Sequence, residues 1–231
     1  MKIPFTVLVA IIGILLISTF FGKDKIHLFP VPAKLLCSFL LVAISFYLFI
    51  NTLVDTPCYV YSKWIFFGMI FGFMGDLIMM GVIPLKNYVI WGMLVFGIGH
   101  ILYIGAFTSI LHRISEYSPF LKIIIPVIIT GFLIWKFCVY TPVMPGMMKY
   151  GSLVYGVLLT LMAGYALLLF GLRSEFLLAA IGAVLFAISD IILGNTLFRG
   201  DLFAGIRSYS FILYILGQWG MVMSVMTIRC K

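Results

Sequence analysis

Long apolar stretches alternate with short polar breaks along the whole chain. The apolar runs lie at about 3 to 21, 34 to 52, 62 to 80, 88 to 111, 119 to 139, 150 to 170, 175 to 196 and 207 to 228. Each is near the ~20 residues that an α-helix needs to cross the hydrocarbon core of a bilayer. The breaks GKDKIHLFPVP, VDTPCY, VIPLK, HRISEYSP, YTPVMPG, LRSE and FRGD carry the prolines, glycines and charges of membrane-edge turns. The pattern predicts an all-α, polytopic membrane bundle of about eight transmembrane helices. The gaps are too short for a second domain, so residues 1–231 are expected to form a single transmembrane domain. The first segment, KIPFTVLVAIIGILLISTFF, has a longer apolar run than a signal peptide and no small-x-small cleavage site before GKDK, so it reads as the first span.

Composition strengthens this picture. Of 231 residues, 64% are hydrophobic and 10% charged, and the mean hydropathy of +1.24 belongs to a multi-pass integral membrane protein rather than a soluble domain. The net charge of +8 comes from fifteen Lys and Arg scattered over span edges and loops. No patch of them is interleaved with aromatics, so the expected partner is the lipid bilayer with its anionic headgroups, and no nucleic acid. These residues divide seven and eight between the two sides of the membrane, so the positive-inside rule does not orient the chain. Cys37, Cys58, Cys138 and Cys230 are widely spaced in or beside apolar segments and are expected to be small apolar fillers.

The acids then separate into two groups. Asp24, Asp55, Glu116, Glu175 and Asp201 fall in turns or at span edges, where a carboxylate is solvated; only Asp76 and Asp190 lie within spans. An ionised group in hydrocarbon costs at least about 2.5–3.5 kcal/mol on insertion scales, so an intramembrane carboxylate faces a bundle interior or wet cavity and marks function. The segments GMIFGFMGD (68 to 76) and GAVLFAISD (182 to 190) each place a glycine eight residues before the acid and a small residue directly before it. They sit in the third and seventh spans, which run in the same direction, so the acids lie at similar depth, nearer the side opposite the N-terminus.

The fourth span carries His100 and Tyr103, and the eighth carries Tyr214 and Gln218, each pair on one helix face. His100 lies 24 residues after Asp76, and Tyr214 lies 24 residues after Asp190. These two short matches suggest a four-helix internal repeat that gathers the third, fourth, seventh and eighth spans around one polar pocket between the third and seventh. Gly68, Gly72, Gly75, Gly92, Gly99 and Ala106 supply the small residues that close helix approach requires.

On Gly75-Asp76, Gly99-His100-Ile101-Leu102-Tyr103, Ser189-Asp190 and Tyr214 with Gln218, taken in order, the chain resembles the lysoplasmalogenase (YhhN) family of eight-helix membrane proteins. That family tends to open its second span with Lys-Pro. Here Lys34 is present, but Pro30 and Pro32 precede it and Leu35 follows. The resemblance covers nearly the whole chain. It implies hydrolysis of the vinyl ether bond of lysoplasmalogens, one-chain ether lipids with a choline or ethanolamine phosphate head, to a fatty aldehyde and a glycerophospho compound.

Vinyl ether cleavage does not begin with nucleophilic attack on a carbonyl, so a serine or cysteine triad is beside the point. Its slow step is protonation of the alkenyl carbon, giving an oxocarbenium ion that water captures. The site needs a proton donor, a negative charge near the cation and a base for the water. Two carboxyls in one partly dry pocket do not both ionise, so one keeps a proton as the acid while the other stabilises the cation and takes a proton from water. Asp76 and Asp190 are expected to be this pair, in an order that the sequence leaves open. His100 is the group expected to orient the water or share the proton. Tyr103, Tyr214 and Gln218 are expected to hold the glycerol oxygens or the carboxylates. Lys34 enters from the side toward which the aspartates lie, so it is placed either on the lipid phosphate or snorkelling to the interface. His27 and His112 sit at span edges as bystanders.

No cofactor is expected. Three histidines, two of them in loops, and no HxxxH or HxxE spacing argue against a zinc hydrolase of the membrane-ceramidase type, and leave a metal held by the two aspartates with His100 as the open alternative. The rival functional class is a proton-coupled small-molecule or lipid transporter that uses the same two aspartates.

Overall fold

The structure is a computed structural model that describes residues 2–19, 29–114 and 120–228. The expectations for Asp24, His27, Glu116 and Cys230 lie outside these residues. Each apolar run forms a helix: α1 (Lys2–Thr19), α2 (Val31–Ile50), α3 (Pro57–Met79), α4 (Tyr88–Ile114), α5 (Phe120–Ile134), α6 (Gly146–Leu172), α7 (Leu177–Phe198) and α8 (Ser210–Thr227). Among the described residues, α2, α3, α4, α6, α7 and α8 are long and apolar enough to cross a bilayer; Thr6–Thr19 and Ile124–Val139 are shorter apolar helices.

The helix boundaries follow local chemistry. Thr56 caps α3 by accepting a hydrogen bond from Tyr59 N at 3.3 Å, and Pro57 follows at a position where a missing N–H costs nothing. In α5, Pro126 removes an intrahelical hydrogen bond, and the helix then widens into a π-helical turn, Trp135–Val139.

Two helix pairs form the tightest seams, α3 on α4 and α7 on α8. The packing repeats after four helices. The contacts of α1 with α2, α2 with α3 and α3 with α4 recur as α5 with α6, α6 with α7 and α7 with α8, and the α2–α8 contact answers the α4–α6 contact. Asp190 follows Asp76, Tyr214 follows His100, and Gly182 follows Gly68, each by the same 114 residues. The chain thus packs as two four-helix halves of like order, the parallel type of internal repeat known in membrane bundles. At the α7–α8 seam the backbones touch: a Cβ on Gly217 would stand 2.6 Å from Phe186 N. At the α3–α4 seam Gly68 instead accepts the Tyr103 ring and Gly75 the Phe96 ring.

One expectation is corrected. Cys58 is disulfide-bonded and is not an apolar filler, while Cys37 and Cys138 are free thiols. Cys58 lies in the first turn of α3 and is buried against the main hydrophobic core.

A polar latch closes the other side of the bundle. The π-helical turn frees backbone carbonyls that donors at the end of α7 satisfy. Arg199 Nη1 donates to Phe137 O at 2.7 Å, and Asn195 Nδ2 donates to Cys138 O at 2.8 Å. Arg199 in turn grips Asp201, with Nη2 2.7 Å from Oδ2. The guanidinium and the Asn195 amide hold the Asp201 carboxyl at about 2, below its ordinary 3.8. A depressed carboxyl contributes its stability above the unfolded value and loses it as pH falls through the folded one. The difference in melting temperature between the native protein and Asp201→Asn is therefore expected to stay constant from about pH 5 to 8 and to shrink only below about pH 4. Thermal unfolding in detergent across that range checks it.

Candidate functional site

Asp76 lies three residues before the C-terminus of α3, is 4% exposed, and makes its contacts with the neighbouring helices α2 and α8. The Tyr214 hydroxyl, from α8, donates to Asp76 Oδ2 at 2.9 Å, and Gln218 Nε2 donates to the Tyr214 oxygen at 2.7 Å. The i, i+4 spacing of Tyr214 and Gln218 puts both on the face that meets α3, where Gly72 leaves room for the Gln218 amide. Ser38 of α2 is buried against the same carboxyl, although its hydroxyl does not reach hydrogen-bond geometry. Lys34, one helical turn away on α2, stands within the field of Asp76 without an ion-pair contact, its ammonium 5.5 Å from the centre of the Phe211 ring.

Asp190, in α7, has a second set of partners. Its side chain is 8% exposed, and Oδ2 accepts a short hydrogen bond from the Tyr155 hydroxyl of α6. His100 of α4 brings Nε2 to 3.0 Å from that hydroxyl and 3.8 Å from Asp190 Oδ2. With Tyr155 donating to the carboxylate, His100 Nε2 carries the hydrogen toward the phenolic oxygen, and Nδ1 presents a bare lone pair. His100 Nδ1 and Gln218 Oε1 are both buried without a hydrogen-bond partner, one in each constellation. Buried polar atoms of this kind mark places that a substrate or water completes.

Each carboxyl therefore has its own hydrogen-bond partners, where the sequence pattern suggested one common set between α3 and α7. The repeat explains the difference, because each aspartate is served by the last helix of the other half: His100 of α4 approaches Asp190 of α7, and Tyr214 of α8 bonds Asp76 of α3. The constellations are joined through aromatic rings. Phe186 packs 5.2 Å from Tyr214 on one side and 5.2 Å from His100 on the other, ring centre to ring centre. Asp76 remains within the field of Asp190.

Among the residues expected at the carboxylates, Tyr103 stands apart. It is 1% exposed, lies over Gly68, and its hydroxyl donates to Met69 Sδ at 3.1 Å. Tyr155 and Ser38 were not foreseen. For Ser38 a signal exists: the 114-residue offset of the repeat equates it with Ser152 on α6, which is also buried and accepts from Trp135 Nε1 at 3.0 Å. Tyr155 has no such counterpart, since the same offset leads to Leu41.

Asp190 and Tyr155 also form part of the wall of a largely apolar cavity of about 70 Å³. The YhhN family model matches residues 29–225. The chain belongs to the YhhN family. The match spans α2 to α8 and so takes in both aspartates and every partner described above. No curated protein and no solved structure matches the chain. Among the described residues of this family member, no three His, Cys, Asp or Glu side chains converge as metal ligands would.

Proposed function

We propose that this multi-pass membrane protein is a lysoplasmalogenase, hydrolysing the vinyl ether bond of a single-chain ether phospholipid to a fatty aldehyde and glycerophosphocholine or glycerophosphoethanolamine. Family membership is compatible with hydrolysis, and the observation that carries the reading is a nearly buried carboxyl, Asp190, facing an apolar cavity with a hydroxyl and an imidazole in train.

Asp190 delivers a proton to the second carbon of the alkenyl chain, turning the vinyl ether into an oxocarbenium ion. Water adds to the first carbon, and the resulting hemiacetal collapses as its bond to the glycerol oxygen breaks and that oxygen takes a proton. Asp76, which accepts the Tyr214 hydrogen bond and lies within the field of Asp190, provides the negative charge and the final acceptor for the proton from water. Tyr155 fixes the orientation of Asp190, and the bare Nδ1 of His100 is an acceptor for the incoming water. Tyr155→Phe removes the hydrogen bond that orients the protonated Asp190 carboxyl, so kcat is expected to fall about 3- to 10-fold. KM is expected to change little, and steady-state kinetics separate the two.

Purified protein in detergent, given a lysoplasmalogen, its saturated alkyl ether analogue and the matching acyl lysophospholipid, is expected to release aldehyde from the first alone. Absence of aldehyde would end the assignment. The four-helix repeat, with one carboxylate in each half, also favours a second reading, a proton-coupled carrier. Against it, α3 and α7 run unbroken through their aspartates. Substrate-driven proton uptake into liposomes without hydrolysis would decide for the carrier.

A further inference from the structure

Each aspartate stands at the end of a relay of the same form. Gln218 Nε2 donates to the Tyr214 oxygen at 2.7 Å, and the Tyr214 hydroxyl donates to Asp76 Oδ2. His100 Nε2 lies 3.0 Å from the Tyr155 oxygen, and the Tyr155 hydroxyl donates to Asp190 Oδ2. The likeness is not inherited from the repeat, because the 114-residue offset equates Tyr214 with His100 and Tyr155 with Leu41. Both relays also begin at a buried atom without a hydrogen-bond partner, Gln218 Oε1 in one and His100 Nδ1 in the other. They differ in what that first group does with a proton. The amide of Gln218 keeps its hydrogens, whereas an imidazole takes a proton at one nitrogen and releases another from the second. The relay to Asp76 is therefore fixed, and the relay to Asp190 is mobile.

The proposed reaction needs a mobile one. A turnover leaves Asp190 without its proton and Asp76 with one taken from water, so the proton must return before the next. Little else reaches Asp190. Its side chain is 8% exposed, and the cavity beside it is largely apolar. The hydroxyls of Ser152 and Thr160 in the cavity wall are directed at the backbone carbonyls of Lys149 and Gly156, at 3.2 and 3.0 Å. Such walls give a chain of water no footing. His100 does not serve Asp190 directly either, since 3.8 Å between Nε2 and Oδ2 exceeds hydrogen-bond reach. The Tyr155 hydroxyl closes that gap.

We infer that His100 and Tyr155 form the route by which Asp190 regains its proton. The place of this step in a catalytic cycle rests on the proposed lysoplasmalogenase reading. Water at the bare Nδ1 receives the proton held by Asp76 and passes one to the ring. Nε2 releases its hydrogen to the Tyr155 oxygen as the Tyr155 hydroxyl hydrogen crosses to Asp190 Oδ2. Asp76 ends ionised and Asp190 protonated, with no change in total charge. A half-turn of the imidazole, with rotation of the phenol hydroxyl, restores the starting arrangement.

Infrared spectroscopy of the full chain in nanodiscs tests this without substrate. The carboxyl stretch that Asp190→Asn removes is that of Asp190, and its shift on transfer to deuterium oxide gives the exchange rate. His100→Gln keeps a nitrogen donor toward Tyr155 and an acceptor at its other end, as Gln218 does for Tyr214, yet passes no proton. It is expected to slow the exchange by about tenfold or more, leaving local opening of the bundle to bring in solvent. Tyr155→Phe breaks the link without touching the ring; it is expected to slow the exchange as much, and guards against a disturbed fold in the first variant. With lysoplasmalogen, His100→Gln is expected to give a burst of a single turnover and then a steady phase about 3- to 10-fold below native, because the return of the proton is slowed more than the first protonation. A merely structural defect lowers both phases together. Exchange at the native rate in both variants, no carboxyl band lost in Asp190→Asn, or an equal fall in both phases overturns the inference. Slowed exchange without aldehyde from the native protein would leave the relay standing and remove only the lysoplasmalogenase reading.

Discussion

Asp190→Asn is expected to lower aldehyde release by about 10²- to 10⁴-fold, the usual contribution of a positioned general acid. The substitution keeps the shape of the side chain and an oxygen to accept from Tyr155, so the α6–α7 contact survives. What it removes is the acidic proton, and an amide does not protonate an alkenyl carbon. Because the carboxyl is nearly buried, water does not substitute for it as an acid. The melting temperature is expected to hold or rise slightly, since an ionisable group in the bundle is replaced by a neutral one. Asp76→Asn is expected to slow the reaction too, through loss of negative charge near the cation. Initial rates beside thermal unfolding make the comparison. A native rate in Asp190→Asn would remove that residue from the chemistry, whatever Asp76 does.

The largest effect on stability is expected at the α7–α8 seam. A Cβ on Gly182 would stand 2.6 Å from Gly217 O and 2.7 Å from Met221 N, and one on Gly220 would stand 2.9 Å from Leu178 O. These are backbone atoms that no rotamer change moves aside, so Gly182→Ala forces the two helices apart. Overpacking of this kind costs about 1–3 kcal/mol and sometimes more. Activity should fall with it, because α7 carries Asp190 and α8 carries Tyr214. Gly13→Ala is the control: nothing lies within 4 Å of its added Cβ, and alanine favours the helix. Thermal melts of the two variants should diverge, with Gly182→Ala well below native and Gly13→Ala at or above it.

Much of this architecture was legible in the sequence because a bilayer imposes a coarse rule. Runs of about 20 apolar residues between charged turns read directly as helices, and two acids inside such runs stand out. The repeat was visible in the glycine-to-acid spacing and in the matched positions of His100 and Tyr214. What the sequence did not carry was which half serves which acid. The sequence pattern placed His100 beside both acids in one pocket, whereas packing delivers it to Asp190. Tyr155 was hidden because a tyrosine in a span usually packs or sits in the interfacial belt, and only its contact with Asp190 distinguishes it. Tyr103 was raised by its spacing from His100, yet its ring fills the hollow at Gly68 and its hydroxyl finds a thioether.

The central claim is that a carboxyl of the protein protonates the alkenyl carbon. Hydrolysis of a lysoplasmalogen in deuterium oxide, with the aldehyde reduced to the alcohol as it forms, reads this directly. The account predicts a single deuterium at carbon 2 in one configuration from the native protein, and almost no product from Asp190→Asn. Racemic label at that carbon, or equal product from the variant, would contradict it.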